Sequence, residues 1–251
     1  MIGNESIGQS TTRDLDIINR RKIFFEGTNE STEEILKNFP TFTRRVAITR
    51  FLAHYELYKK VQNLPGSIIE LGVFKGGSLF SFAHFLEIFN HGDRSRKVIG
   101  FDSFEGLKDL DKKDGVVDLG HGKKTGGWSA ENFESDLMAM ADLFSAESFV
   151  PQSKRIEFVK GDISITAAEY VALNPGLRVS LLHFDCDLYQ PTLAGLKAFV
   201  PLVVPGGLVV FDEYAITTWA GETAAVEEYF GKGKKIHKFS WTTLPGGYIE
   251  L

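Results

Sequence analysis

The chain has 251 residues, 43% of them hydrophobic and 24% charged, and a formal net charge of −5. A chain of that length buries roughly 70–75% of its unfolded surface and folds as one large domain or two small ones without covalent staples. The acidic balance argues against a nucleic-acid partner, which demands a basic face, and the lone Cys186 excludes an intramolecular disulfide and argues against a cysteine-based zinc site.

The first residues, Met1-Ile2-Gly3-Asn4-Glu5-Ser6, lack the basic-then-apolar pattern of a secretion signal. No apolar run reaches the ~20 residues of a membrane span. A cytoplasmic protein with no membrane partner is expected. Residues 1–40 are polar and read as an N-terminal arm or lid ahead of a domain over residues 41–251. From Thr41 onward, Ala47, Phe51, Tyr55, Tyr58 and Val61 recur at three- and four-residue steps. That spacing predicts a helix ending before Pro65-Gly66.

Five strand-like runs follow: Ser67–Leu71, Lys97–Phe101, Arg155–Val159, Val179–Phe184 and Gly207–Phe211. Most are solid apolar runs, the pattern of a parallel sheet covered on both faces. Helical segments separate them: Ser78–Phe89, Ser129–Phe144 with Ser129 as its cap, Thr192–Val200 and Glu222–Phe230. Strand and helix in alternation mean an α/β fold with right-handed crossovers. Lys235–Ser240 and Gly247–Leu251 are separated by too few residues for a helical crossover, so they are predicted to pair antiparallel. The expected architecture is a seven-stranded, Rossmann-like sheet with a terminal antiparallel hairpin and helices on both faces. Residues 102–130 are charged and glycine-rich, a long loop of the kind used as a lid or binding loop.

In such sheets ligands bind beyond the carboxyl ends of the strands, at the switch point of strand order. The first strand runs into Glu70-Leu71-Gly72-Val73-Phe74-Lys75-Gly76-Gly77 and then a helix opening at Ser78. Glycines there admit a ligand close to the backbone, and the free amides of the helix N-terminus suit a carboxylate. Glu70 is placed for an ammonium group. On its own the turn reads equally well as a tight connection without a ligand. The spacing is neither G-x-G-x-x-G nor a phosphate loop. Asp102 and Ser103 end the second strand, where an acid accepts ribose hydroxyls; a helix cap or solvated turn is the alternative, and the offset from the first turn favours a ribose-bearing cofactor. Gly161, Asp162 and Ile163 end the third, with Asp162 either beside an adenine or capping the next helix.

The fourth strand ends in Asp185-Cys186-Asp187 and the fifth in Asp212-Glu213. Four carboxylates in one cleft repel unless some are protonated or a cation holds them. Oxygen ligands favour Mg²⁺, with Mn²⁺ or Ca²⁺ as alternatives. Asp185, Asp212 and Glu213 are expected as metal ligands and Asp187 as general base, the roles of Asp185 and Asp187 being exchangeable. Asp185 also borders the cofactor turn. Of the histidines, His183 reads as a core residue, His84 and His91 carry no clear role, and His121 sits in the presumed lid within reach of an acceptor. Trp128 and Trp219 are candidates for stacking on a ligand, with ordinary packing as the simpler alternative.

Four motifs in order carry a family resemblance: Glu70 to Ser78, Phe101-Asp102-Ser103-Phe104-Glu105-Gly106, Asp185 to Thr192, and Pro205-Gly206-Gly207 with Asp212-Glu213-Tyr214. They resemble the macrocin O-methyltransferase family over residues 41–251, with the calicheamicin-type deoxysugar O-methyltransferases nearest among its members. The resemblance implies a methyltransferase fold, S-adenosylmethionine and Mg²⁺ as cofactors, a sugar hydroxyl on a nucleotide or antibiotic as acceptor, and a homo-oligomer. Two positions depart from the family pattern: Glu213 replaces a common aspartate, and Cys186 replaces a common glycine. Three rivals stand beside this reading. They are a methyltransferase with a catechol or other acceptor, an NAD-dependent oxidoreductase, and a non-catalytic interaction module.

Overall fold

The computed structural model describes residues 12–108, 110–115 and 122–251. The chain divides into two compact units that meet between Arg50 and Phe51. The first carries α1 (Thr12–Gly27), α2 (Thr32–Lys37) and α3 (Phe39–Phe42). Ser31 caps α2 by accepting from the Glu34 amide at 3.2 Å. None of residues 13–50 is buried. α4 (Arg45–Val61) carries the chain from this unit into the next.

The second unit continues in chain order with β1 (Ser67–Leu71), α5 (Gly77–Phe89), β2 (Val98–Asp102), α6 (Glu134–Glu147) and β3 (Ile156–Lys160). Then come α7 (Ile163–Leu173), β4 (Val179–Phe184), α8 (Tyr189–Phe199), β5 (Val203–Phe211), α9 (Ala220–Phe230) and β6 (Gly247–Glu250). The strand order is β3-β2-β1-β4-β5-β6. β1 to β5 run parallel, and only β6 pairs antiparallel, on β5. Successive strand residues point to opposite faces. Ile68, Leu181 and Leu208 therefore join Leu57, Phe82 and Leu137 from α4, α5 and α6. Ile69, Leu182 and Val209 join Ala167, Leu196 and Ala225 from α7, α8 and α9. That double cover explains why the strands read as continuous apolar runs.

Two buried arginines close the amino-terminal end of the sheet. Arg96 donates to Gln62 O at 2.7 Å and Val61 O at 3.2 Å at the end of α4, and to Gly66 O at 3.0 Å. Arg155 donates to Glu87 at 2.9 Å and to Asn90 O at 2.7 Å at the end of α5. Cations at helix C-termini meet the unpaired carbonyls and the negative end of the dipole.

Two expectations are corrected. The sheet has six strands among the described residues, not seven. Lys235–Ser240, expected as a strand, contributes one bridge, His237 to Tyr248, whose paired backbone bonds are both 2.8 Å. The segment leaves the exposed Gly231–Lys234 turn, and only His237 comes into register with β6, at Tyr248. A short, lysine-flanked edge of this kind also resists pairing with other chains. Ser129 is not a helix cap: a 3₁₀ turn, Glu131–Phe133, intervenes, and α6 opens at Glu134 without a side-chain cap. His121 lies outside the described residues. Among the described residues no helix is long and apolar enough to cross a membrane.

Candidate active site

The strand order reverses between β1 and β4, which opens a crevice at their carboxyl ends. Leu71 O accepts from Asp185 N at 2.8 Å, and Gly72 N donates to Phe101 O at 2.9 Å. Gly72 sits at φ +93°, and a Cβ there would collide with the Asp185 backbone. Only glycine lets the two strand ends approach this closely. Gly76, at φ +79°, is the N-cap of α5 and has no side-chain cap, so the first amides of the helix remain open to a ligand.

Asp102 shapes this turn directly. Its Oδ2 accepts from Val73 N and Phe74 N, both at 2.7 Å, and its Oδ1 accepts from Phe104 N at 2.7 Å. A carboxylate has about four acceptor sites, so a ribose hydroxyl still finds room. Ser103 follows it, accepting from Glu105 N at 3.2 Å. Asp162 caps α7 by accepting from Ser164 N at 2.8 Å, Gly161 N donates to Asp102 O at 2.9 Å, and Ile163 is buried. The third strand end therefore abuts the second, and Asp162 takes the capping role.

Glu70 is fully buried and accepts from the Ser78 hydroxyl at the start of α5. Its neighbour across the strands is His183, paired in register on β4. His183 Nδ1 lies 3.5 Å from Glu70, and Nε2 lies 3.7 Å from Asp212. Burial pushes this imidazole towards neutrality, but Asp212 and Glu70 outweigh it and raise its pKa to about 10. The two flanking carboxylates thus favour the protonated form of His183, which lies between Glu70 of the turn and Asp212.

Beyond it, ligand oxygens of Asp185, Asp187 and Glu213 lie within 4.8 Å of one another. The sequence reading places Asp212 in this group; the structure turns it to His183 and brings Asp187 into the third place. Asp187 holds φ +63°, uncommon for a non-glycine residue and a marker of functional sites. Glu213 is held well above the usual carboxylate range, first by burial and then by Asp187 and Asp212. Its backbone N–H donates to Glu222 at 2.8 Å. Glu222, from α9, is fully buried and is also pushed up, by burial and by Asp212. Cys186 faces inward against the Thr192 hydroxyl at 3.4 Å, and burial raises its thiol.

Two residues of this region escaped the sequence reading. Glu222 carried no signal beyond a helix pattern. Lys123, 2% exposed, lies in the glycine-rich loop. Its ammonium donates to Asp114 O and, at 2.7 Å, to Thr218 O, and sits 5.1 Å from the Trp219 ring. Burial lowers its pKa, while Asp114 and Asp187 oppose that fall. One face of Trp219 is therefore taken by Lys123. His84 and His91 pack on Phe144 and Phe149, remote from the acids in sequence and on exposed positions.

The model of the macrocin-O-methyltransferase (TylF) family matches residues 52–239. The chain belongs to that family. Among solved structures, the chain is similar to a calicheamicin methyltransferase, with a TM-score of 0.90, 28% identity, and 97% of this chain and 94% of that one covered. The apo form of that enzyme, named a TDP-rhamnose 3'-O-methyltransferase of calicheamicin biosynthesis, gives a TM-score of 0.80 at 27% identity, with 97% and 96% covered. Among curated relatives it is 27% identical over 172 residues to a tetracenomycin-C rhamnosyl 4'-O-methyltransferase of Streptomyces olivaceus, covering 67% of this chain and 59% of the relative. It is 28% identical over 173 residues to demethyldecarbamoylnovobiocin O-methyltransferase of Streptomyces niveus, covering 68% and 60%. The chain thus spans about three-fifths of the length of the curated relatives it matches. The macrocin-O-methyltransferase match covers β1 to β5 and both strand ends that carry the acids.

Proposed function

We propose that the chain is an S-adenosylmethionine-dependent O-methyltransferase that methylates a hydroxyl of a sugar, either on a nucleotide or on a glycosylated natural product. The observation that carries this reading is the junction of the Glu70–Gly77 turn with the three-acid group across the β1/β4 crevice. Membership of the macrocin-O-methyltransferase family supports it, as do relatives named for rhamnose methylation.

The donor turn fits S-adenosylmethionine by its chemistry. The open amides of α5 suit the donor's carboxylate, and Glu70, whose buried Oε2 has no hydrogen-bond partner among the described residues, is placed for its ammonium group. Asp102 and Ser103 offer oxygens to a ribose, and Gly161, Asp162 and Ile163 border the same end of the sheet. Such placement of both reactants accounts for a large part of the rate in an in-line methyl transfer, up to roughly 7–11 kcal/mol.

The acid group fits a hard divalent cation. Its ligand atoms are all carboxylate oxygens, and the buried Glu213 Oε2 has no hydrogen-bond partner. Asp185 and Glu213 are the residues that would hold Mg²⁺, with Mn²⁺ or Ca²⁺ as substitutes. An ion held there would supply Lewis-acid polarisation of an acceptor hydroxyl, making its proton easier to remove. Asp187 takes the hydroxyl proton at a carboxylate oxygen. His183, buried between Glu70 and Asp212, links the two half-sites and favours the ionised form of both acids. We also expect the homo-oligomer that the family resemblance implies.

The decisive experiment is an acceptor screen with S-adenosylmethionine, with and without EDTA, read as a mass gain of one methyl group. Methylated deoxysugar that disappears on chelation and returns with Mg²⁺ is expected. Activity on catechols alone, or activity indifferent to chelation, overturns the reading.

A further inference from the structure

We propose that Trp128 is a ligand-binding residue whose indole N–H donates to an oxygen of the methyl donor. The proposal rests on the reading of the Glu70–Gly77 turn as the donor site. Three observations converge on it. First, Trp128 Nε1 is buried and has no hydrogen-bond partner among the described residues. An indole nitrogen only donates, and a buried donor without an acceptor is costly and rare in a native fold. An oxygen-bearing ligand is the partner it lacks.

Second, Trp128 holds φ +57°. For so bulky a residue this is a genuine outlier, and such strain clusters at ligand clamps. The surrounding loop imposes it. Gly127 O accepts from Leu107 N at 2.8 Å, Gly126 N donates to Leu107 O at 2.9 Å, and Ala130 N donates to Phe104 O at 3.0 Å. These bonds grip the chain on both sides of Trp128 and tie it to the end of β2.

Third, the indole packs edge-to-face on Phe74, with ring centroids 5.7 Å apart at 81°. Phe74 belongs to the donor turn and is itself strained at φ +49°, with its amide bound to Asp102. Two strained aromatics thus meet where the donor is expected, one carrying an unused N–H. A purely structural tryptophan needs neither the strain nor the unsatisfied donor. Of the acceptors on S-adenosylmethionine, the carboxylate and ribose oxygens belong to the part read onto this turn and Asp102, the adenine nitrogens to the part read onto the third strand end, and its ammonium and sulfonium offer none to an N–H.

The test titrates S-adenosylhomocysteine into the full chain and into Trp128→Phe by calorimetry, alongside apo melting temperatures. Phenylalanine keeps a ring against Phe74 and removes only the N–H. We expect a roughly tenfold rise in Kd, with an apo melting temperature equal to or above that of the parent because the unpaired donor is gone. Trp128→His, which keeps a ring N–H, is expected to retain more affinity than the phenylalanine variant. A parent that binds while Trp128→Phe binds equally well overturns this proposal alone. A changed acceptor KM with unchanged S-adenosylhomocysteine affinity overturns the assignment to the donor. A parent that does not bind S-adenosylhomocysteine overturns the donor site and this proposal together.

Discussion

Asp187 shows what a single residue does here. It stands in a left-handed conformation, with a carboxylate oxygen within 4.8 Å of ligand oxygens of Asp185 and Glu213, and its charge opposes the fall that burial imposes on the Lys123 pKa. A carboxylate so placed is only partly buried and lies close to where a metal-polarised hydroxyl would sit. Asp187→Asn preserves shape and removes the basic oxygen. The expected result is a 10²–10⁴-fold loss in kcat with S-adenosylhomocysteine affinity unchanged, measured by single-turnover methylation and calorimetry. A loss of donor affinity equal to the loss of rate would instead give Asp187 a part in the donor site. The acids themselves were legible as pairs, since they end successive strands. Which of them share a centre was not. Asp212 and Glu213 are adjacent just past the end of β5, and only the fold shows that Asp212 lies against His183 while Glu213 joins Asp185 and Asp187.

At the scale of elements, the helices owe their positions to what closes their ends. The carbonyl ends of α4 and α5 are gathered by Arg96 and Arg155, and Glu87 of α5 binds Arg155 at 2.9 Å and also pairs with Arg94. Burial pushes Glu87 up, but its hydrogen bonds to Arg94 and Arg155 hold the carboxyl below the usual range. A depressed folded value means the contribution is present above the unfolded value of about 4.3 and is lost as pH falls through the folded one. Glu87→Gln is therefore expected to lower stability at pH 7 by about 1–3 kcal/mol. It should also flatten the fall in melting temperature between about pH 5 and pH 3. Parallel thermal melts of parent and variant across that range check it, and identical slopes would remove Glu87 from the acid response. The periodicity of α4, α5, α8 and α9 is visible in the residues that form them. The buried arginines are not, because a charge bound for a helix end looks like any surface charge in sequence. The same holds for the terminal segment Lys235–Ser240. Its alternation is that of a strand, but only His237 comes into register with β6.

For the whole molecule, function depends on where the sheet reverses. Donor turn and acids come from four strand ends far apart in sequence, and the β1/β4 switch point sets them side by side. A ligand that binds only the folded arrangement stabilises it by mass action, about 2.7 kcal/mol at a hundredfold excess over Kd. For a chain of this size that corresponds to roughly 5–10 °C in melting temperature. Saturating Mg²⁺ is expected to raise the melting temperature of the parent and not of Asp185→Asn, by scanning calorimetry. An equal rise in both would mean that the acid group does not hold the ion.

The strand–helix alternation, the glycine turn after β1, the paired acids at β4 and β5 and the family of the chain are all written locally. Each depends on residues a few positions apart, through side-chain period, backbone freedom and charge. The six-strand count, the pairing of Asp212 with His183, the place of Asp187 beside Asp185 and Glu213, and the buried Lys123 and Glu222 were decided only in the tertiary structure. Those contacts join segments tens of residues apart, and burial fixes both their charge and their partners. No local pattern encodes which oxygens face one another once the sheet has closed.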